Sequence, residues 1–440
     1  MRESQLGGSK IAVIGSGISG LAAAWALSKK YQVTVFESNN YLGGHANTAV
    51  CIHKGERFVT DTGFIVFNDR NYPHLNMLFD RLKVPIENSN MSFSASFPQR
   101  DLEYSGGDLK GLFAQKKNLL RPYFWRMLID IARFYRKSEE YMRRELNNVS
   151  IGQLLAAENY SAAFLNSHLI PMASAIWSSA NDQILSYPAQ SFLNFFENHG
   201  LLKITDRPQW KTVRGGSKEY VNRLVADANF EIRARTEISD VTRCNGLVIC
   251  KDSEGKSESF DSVVIATHAD QALAILSDPS EHEIKTLSPF KYSTNNAWLH
   301  QDVRLMPKRR NAWASWNYIE SKQESANCAS VTYWMNQLQN IVRPKNIFVS
   351  LNPAITPKAE NVIEKYVYTH PLFTQDTLEA QIRSIEIQGK NNTWFCGSYL
   401  GHGFHEDGIQ AGLWVAQQFK SGPNWLPSIP WDRIPRSYDQ

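Results

Sequence analysis

At 440 residues the chain is longer than one ordinary core, so two domains are expected, and its 42% hydrophobic content is that of a globular protein. A formal net charge of +4 over that length excludes a general nucleic-acid footprint. Five cysteines (Cys51, Cys244, Cys250, Cys328, Cys396), odd in number and without CxxC spacing, exclude a zinc site and a disulfide framework and point to reduced thiols in the cytoplasm.

The polar start "MRESQLGGSK" does not read as a signal peptide, and no stretch reaches the ~18 consecutive apolar residues of a spanning helix, so any membrane contact is expected to be peripheral. From residue 10, "KIAVIGSGISGLAAAWALSKKYQVTVFES" reads as strand, tight turn, helix, strand. Gly15, Gly17 and Gly20 fill a GxGxxG pattern: one for the turn, one for close backbone approach to a pyrophosphate, one for helix-on-sheet packing. Ile18 and Ser19 open the helix whose N-terminus would hold that pyrophosphate. Glu37 closes the second strand, where an acid accepts hydrogen bonds from a ribose.

A dinucleotide site alone leaves "ESNNYLGGHANT" (37–48) unexplained. With the opening, this stretch resembles the flavin-containing amine oxidase and phytoene desaturase superfamily, whose second signature is a glycine pair, an arginine and then a threonine or serine. Gly43, Gly44 and Thr48 match, and His45 stands in place of the arginine. The resemblance implies FAD, with the glycine pair passing close to it. His45 is then a hydrogen-bond donor to the cofactor, a turn residue or a covalent attachment point.

Further blocks follow in family order. "FVTDTGFIVF" (58–67) resembles the strand and turn beside the flavin, with Asp61 and Gly63. "WKTVRGGSKEYVNRLV" (210–225), "ARTEISDVTR" (234–243) and "DSVVIATHADQALAIL" (261–276) resemble a second glycine pair opening a helix, a strand over the adenine and the strand returning to the nucleotide domain. "NTWFCGSYLGHGFHEDGIQAGLWVAQQF" (392–419) resembles the final strand and helix, with Gly397, Gly408 and Ile409 toward the flavin; Ser398 follows Gly397 where the family has an acid. Blocks such as "GGHANT" and "GFHEDG" resemble a bacterial subgroup associated with cyclopropane-fatty-acyl-phospholipid synthases. That implies an acyl or lipid substrate and a lipid-modifying enzyme as partner.

The fold expected is α/β, a Rossmann-like FAD-binding domain (1–90, 205–276 and 390–440) interleaved with a sheet-plus-helices substrate domain (91–204 and 277–389). In the first insertion, residues 115–146 read as a basic helical stretch with Pro122 near a start, either a solvated face over a core stripe or a surface for an anionic bilayer. In the second, 293–302, 312–320 and 329–338 alternate like antiparallel strands. Their aromatic residues (Trp298, Trp313, Trp316, Tyr318, Tyr333, Trp334) line a tunnel or fill a core, and His300, Asn317 and Asn336 are candidate orienting groups.

No second GxGxxG appears, so a separate NAD(P)H domain is not expected. The reaction expected is hydride transfer from a hydrophobic acyl substrate to flavin, by a desaturase- or oxidase-type enzyme. Amine oxidation, non-redox double-bond isomerisation and a non-catalytic flavin-binding partner of a lipid methyltransferase stay open. Phe404 stands where the amine-oxidising enzymes often have tyrosine. His405 and Glu406 are candidate proton carriers, or simply satisfy helix-end groups. No metal-ligand spacing stands out.

Overall fold

The computed structural model describes residues 8–53, 55–146, 148–177, 181–203, 207–321, 330–342, 345–426, 431 and 433. A five-stranded parallel sheet runs in the order Glu231–Ala234, Gln32–Glu37, Lys10–Ile14, Ser262–Ile265, Thr393–Phe395. Its central strands are continuous buried runs, Ile11 to Ile14 and Val33 to Phe36, as a sheet covered on both faces requires. The first crossover, helix α1 (Ile18–Leu27), is buried at all ten positions. Its small side chains let the last helix of this layer approach it closely. On that helix, His405–Gln418, a Cβ at Gly412 would lie 2.1 Å from the Ser19 carbonyl oxygen and one at Gly408 2.7 Å from Ile18 Cγ2.

A second, seven-stranded sheet has the order Val362–Leu372, Lys291–His300, Phe348–Leu351, Val331–Trp334, Trp316–Ile319, Phe93–Phe97, Leu102–Ser105. Its pairs are antiparallel except Trp316–Ile319 with Phe93–Phe97, which is parallel. The strands of the first sheet come from 1–90, 205–276 and 390–440, and those of the second from the two stretches between. The chain therefore crosses between the two sheets repeatedly, and their facing edges are built from residues far apart in sequence.

Two of the expected strands are shorter than their alternation suggests. Residues 310–312 form a turn of 3₁₀ helix before the strand at Trp316, and Met335–Leu338 turn helical after Trp334. Asn336 is the cause of the second break, since its side chain donates to the Ile341 and Lys345 carbonyls and accepts from Ile347 N. The start of the third stretch, Ala329, and Cys328 lie outside the described residues. Cys51, Cys250 and Cys396 are buried free thiols, and Cys244 is an exposed one.

The helical part of the first insertion packs an aromatic core around Phe134, Phe164, Trp177, Phe192 and Phe196. The basic stretch becomes a 3₁₀ turn (Lys116–Leu120) followed by a 22-residue helix, Pro122–Arg143, with Pro122 at the first helical position, where no N–H is needed. Phe124, Met127, Phe134 and Tyr141 form its buried stripe. Among the described residues no helix is long and apolar enough to cross a membrane.

Candidate cofactor and active site

The first strand ends in a turn at Gly15, whose φ of +100° and the 2.9 Å between a would-be Cβ and the Ala266 carbonyl oxygen leave room only for glycine. Helix α1 begins on Gly17 with no side chain on its first N–H groups, and a Cβ at Gly17 would meet nothing within 4 Å. The free helix N-terminus therefore faces open space, which is the electrostatics of an anion site. Gly44 lies over this turn, a Cβ there falling 3.2 Å from Gly17 Cα, and Gly43 N donates to the Ser16 carbonyl at 3.0 Å. Glu37 is held at the end of its strand: Ser16 donates from N (3.0 Å) and Oγ (2.6 Å) to one oxygen, and Asn39 from N (2.8 Å) and Nδ2 (2.7 Å) to the other.

All of these residues line one cavity of about 1630 Å³. It continues past His45, His268, His370 and His405 to Tyr104, Tyr135, Trp177 and Phe195 of the first insertion and Trp316 of the second. An ordinary small-molecule site holds roughly 300–1,000 Å³. The space accommodates a dinucleotide and a second, apolar molecule in line with it.

Where the two parts meet, the wall is made of uncharged histidines. His45 is half-buried against Tyr368 and His370, with ring centroids 5.0 and 5.4 Å away, and burial holds it well below the usual imidazole range. Its Nε2 has no hydrogen-bond partner among the described residues. Burial takes His370 down to about 4 and His405 down to about 3. His405 stacks on Phe64 at 3.7 Å, with its Nε2 2.9 Å from the Tyr220 hydroxyl.

Residues 13–82 match the NAD(P)-binding Rossmann-like domain family. Over 36 residues the chain is 67% identical to a 1-hydroxycarotenoid 3,4-desaturase of Flavobacterium sp. (strain P99-3), a match spanning 8% of this chain and 7% of that protein. Three solved structures align over 94% of the chain at a TM-score of 0.65. They are a putative protoporphyrinogen oxidase from Exiguobacterium sp. 255-15 (14% identical, 98% of its chain covered), a CLA-producing fatty acid isomerase from P. acnes (15%, 98%) and the cyclohexylamine oxidase from Brevibacterium oxydans IH-35A (13%, 99%). The chain has the fold that these three structures share.

In this fold, Gly15, Gly17, Ile18, Ser19, Glu37, Gly43, Gly44, His45, Gly63, Gly397, Phe404 and His405 lie on the cavity wall. Thr48, Asp61, Gly408 and Ile409 do not line it, which corrects their expected contact with a cofactor, and Gly20, expected to pack helix on sheet, does not line it either. Gly20 is a packing residue, since a Cβ there would lie 1.9 Å from the Gly15 carbonyl oxygen; Gly408 and the buried Ile409 hold the last helix in its layer. Asp61 is a buried tie, accepting from Thr48 Oγ1, Ser217 N and Oγ, and Gln339 Nε2. Burial outweighs these hydrogen bonds and pushes its carboxyl up to about 6.

Glu406 is the larger correction. Consecutive helical residues point about 100° apart, so Glu406 faces away from the cavity that His405 lines. Both its oxygens are used at the start of the helix Pro73–Leu82: His74 N and Leu75 N donate at 3.0 and 3.1 Å, and His74 Nδ1 and Gln410 Nε2 lie at 2.9 and 3.1 Å. A carboxylate there satisfies free N–H groups and complements the helix dipole. Glu406→Gln puts an amide donor against one of these backbone N–H groups. The expected result is a loss of about 1–3 kcal/mol of stability with kcat/KM of the folded protein unchanged; a hundredfold fall in kcat would instead make Glu406 a proton carrier.

The three polar candidates of the second sheet are likewise occupied. His300 lies 2.8 Å from Ser350 Oγ and accepts from Asp302 N, Asn317 bonds Ser94, Ala314 and Thr332, and Asn336 builds its turn. Of the aromatic set, Trp313, Trp316 and Tyr333 line the cavity; Tyr318 is core, Trp298 lies under Lys365, and Trp334 packs on Trp313. Tyr104, Tyr135, His168, Trp177, Phe195, Arg207 and His370 also line it and were not singled out in the sequence. For Tyr135, Trp177 and Phe195 the only signal is aromatic content at helical spacing, which a buried core gives equally, and Tyr104, His370 and Arg207 carry none.

Proposed function

We propose that the chain is an FAD-dependent oxidoreductase that removes a hydride from a long apolar substrate of the fatty-acyl class. The observation that carries this reading is the single cavity joining an uncapped α1 N-terminus, with its glycine cradle, to an end walled by Trp177, Phe195, Trp313, Trp316 and Phe404. The residues present fit FAD: open space at Gly17, the carboxylate of Glu37 fixed on the cavity wall at the end of its strand, and the unpaired buried His45 Nε2. FAD, when bound, supplies the two-electron acceptor that protein side chains lack.

The chain's own residues bind, orient and exclude water. The α1 N–H groups hold the pyrophosphate charge, and the neutral His45, His370 and His405 bring hydrogen-bonding groups to the middle of the cavity without placing a charge there. The aromatic wall desolvates the substrate C–H bond that is broken. Phe404, stacked on Phe195 at 4.9 Å, joins the two ends of the wall.

Arg207 is the one Lys or Arg side chain on the cavity wall among the described residues, and it is exposed. It suits a carboxylate left at the solvent end of an acyl chain. Arg207→Gln is expected to raise KM for a free fatty acid about tenfold, some 1.4 kcal/mol, and to leave the methyl ester unchanged. The parent test is an anaerobic visible spectrum of the holoprotein with saturated, unsaturated and methylated fatty acids. Bleaching of the oxidised-flavin band supports the reading. A product of unchanged mass without bleaching replaces it by isomerisation, and bleaching by simple amines alone replaces the substrate class.

A further inference from the structure

Residues 109–129 contain five lysines and arginines and no Asp or Glu. In the fold this segment is a short helix (Leu109–Leu112), the 3₁₀ turn Lys116–Leu120 and the first two turns of the helix from Pro122. Burial selects Phe124 and Met127 for the core, packs Leu112, Phe113 and Leu128 part-buried against it, and leaves five other large apolar side chains outside. Leu120 is 87% exposed, Leu109 74%, Ile129 58%, and Leu119 and Trp125 nearly half. They form one patch: Trp125 Nε1 donates to the Leu119 carbonyl at 2.9 Å, Phe113 lies 6.1 Å from Trp125, and Ile129 follows Trp125 by one helical turn. Arg136 lies on the same outward face seven residues on, and Lys110, Lys116 and Arg136 have no ion pair among the described residues.

Leaving five large apolar side chains in water is unfavourable by roughly 25 cal/mol per Å² of apolar surface, so the patch fits a partner that covers it. We propose that this face docks on a bilayer containing anionic phospholipid, with the leucines, Trp125 and Ile129 among the acyl chains and the basic side chains at the headgroups. Charge complementarity argues for that partner over a second copy, because a two-fold contact would bring like cationic patches together. The patch also adjoins the cavity: Ser105 to Asp108 line its wall and run directly into Leu109, and Tyr135 of the patch-bearing helix lines it as well. An acyl substrate would then pass from bilayer to cavity without crossing water, a consequence that rests on the function proposed above. The docking itself does not.

The test is flotation of the holoprotein with vesicles of phosphatidylcholine alone or mixed with phosphatidylglycerol. Expected is binding to the mixed vesicles, at least tenfold weaker on phosphatidylcholine alone and weakened by salt. Leu120→Glu with Ile129→Glu, both at solvent-facing positions, should abolish it while flavin absorbance stays unchanged. Lys110→Gln, Lys116→Gln and Arg136→Gln should each weaken it several-fold. Ile52→Glu, at a 74% exposed position on the strand Thr48–His53 and outside the patch, should have no effect.

Absence of binding to mixed vesicles overturns the docking, as does equal binding to neutral ones or binding that survives the double substitution. A dimer in light scattering that the same double substitution dissociates also overturns it and assigns the face to a second copy. Flotation needs no turnover, so its failure and the failure of the acyl assay are separate results.

Discussion

Gly17→Val protein is expected to purify folded and colourless. A side chain at this position grows into open space, since a Cβ meets nothing within 4 Å and the backbone, at φ −65°, is one that any residue adopts. The space it enters is the approach to the uncapped α1 N-terminus, where the pyrophosphate of a dinucleotide must come within hydrogen-bonding distance of backbone N–H groups. A loss of at least a hundredfold in FAD affinity, about 2.7 kcal/mol, is expected, with the unfolding temperature of the apoprotein unchanged. Gly20→Val, three residues on, is expected to do the opposite. Its Cβ would lie 1.9 Å from the Gly15 carbonyl oxygen and 3.0 Å from Ala266 Cβ, so helix and sheet must part, at about 3 kcal/mol or more. Flavin titration and thermal unfolding of the two variants separate ligand contact from packing. Wild-type flavin content in Gly17→Val would remove the pyrophosphate from this turn.

The second large effect expected is acid unfolding that begins near neutrality. Burial holds His168, His199 and His405 down to about 3 and His300 and His370 down to about 4, against an ordinary value of 6.5. Below 6.5 the unfolded chain takes up protons at these positions and the folded chain does not. Their contribution is therefore whole above about pH 6.5 and is lost as pH falls toward the folded values. One pH unit below 6.5, each such histidine costs about 1.4 kcal/mol, and five together of the order of 7 kcal/mol. Total stabilities run about 5–15 kcal/mol. Asp61, raised to about 6, acts in the reverse direction between about 6 and 3.8, but it is one group against five. The apoprotein is expected to unfold with a midpoint between about pH 4 and 6, and circular dichroism across that range checks it. An unfolding temperature that stays flat from pH 7 to 5 would mean that these histidines are hydrated.

These two expectations come from different levels of the molecule. The glycine spacing at 15, 17 and 20 and the acid at 37 were legible in the sequence, because a turn, a helix start and a strand end are set by backbone geometry within some thirty residues. The order of the later blocks in the sequence fitted the interleaving of two sheets, since each block carries its own turn chemistry. The spacing also separated Gly17, with open space beside it, from Gly20, which packs the helix on the sheet.

Side-chain destinations over longer range were not legible. His405 and Glu406 are neighbours in the chain and were read together, as proton carriers or as groups that satisfy helix ends. Only the fold places His405 on the cavity and sends Glu406 to cap a helix 332 residues earlier in the sequence. Trp177 and Phe195 on the cavity wall and Phe192 in the core share one pattern of aromatic spacing, and what decides among them is which surface arrives opposite each ring. The same holds for Leu120 and Phe124 in the basic stretch: both are large and apolar, and packing buries one and leaves the other in water. The sequence by itself determined the nucleotide-binding turn and its acid, because those needs are met by residues close along the chain. Tertiary structure alone decided which histidines lose their charge, which carboxylates tie the fold and which apolar side chains face outward, because burial is set by the elements that pack against a residue.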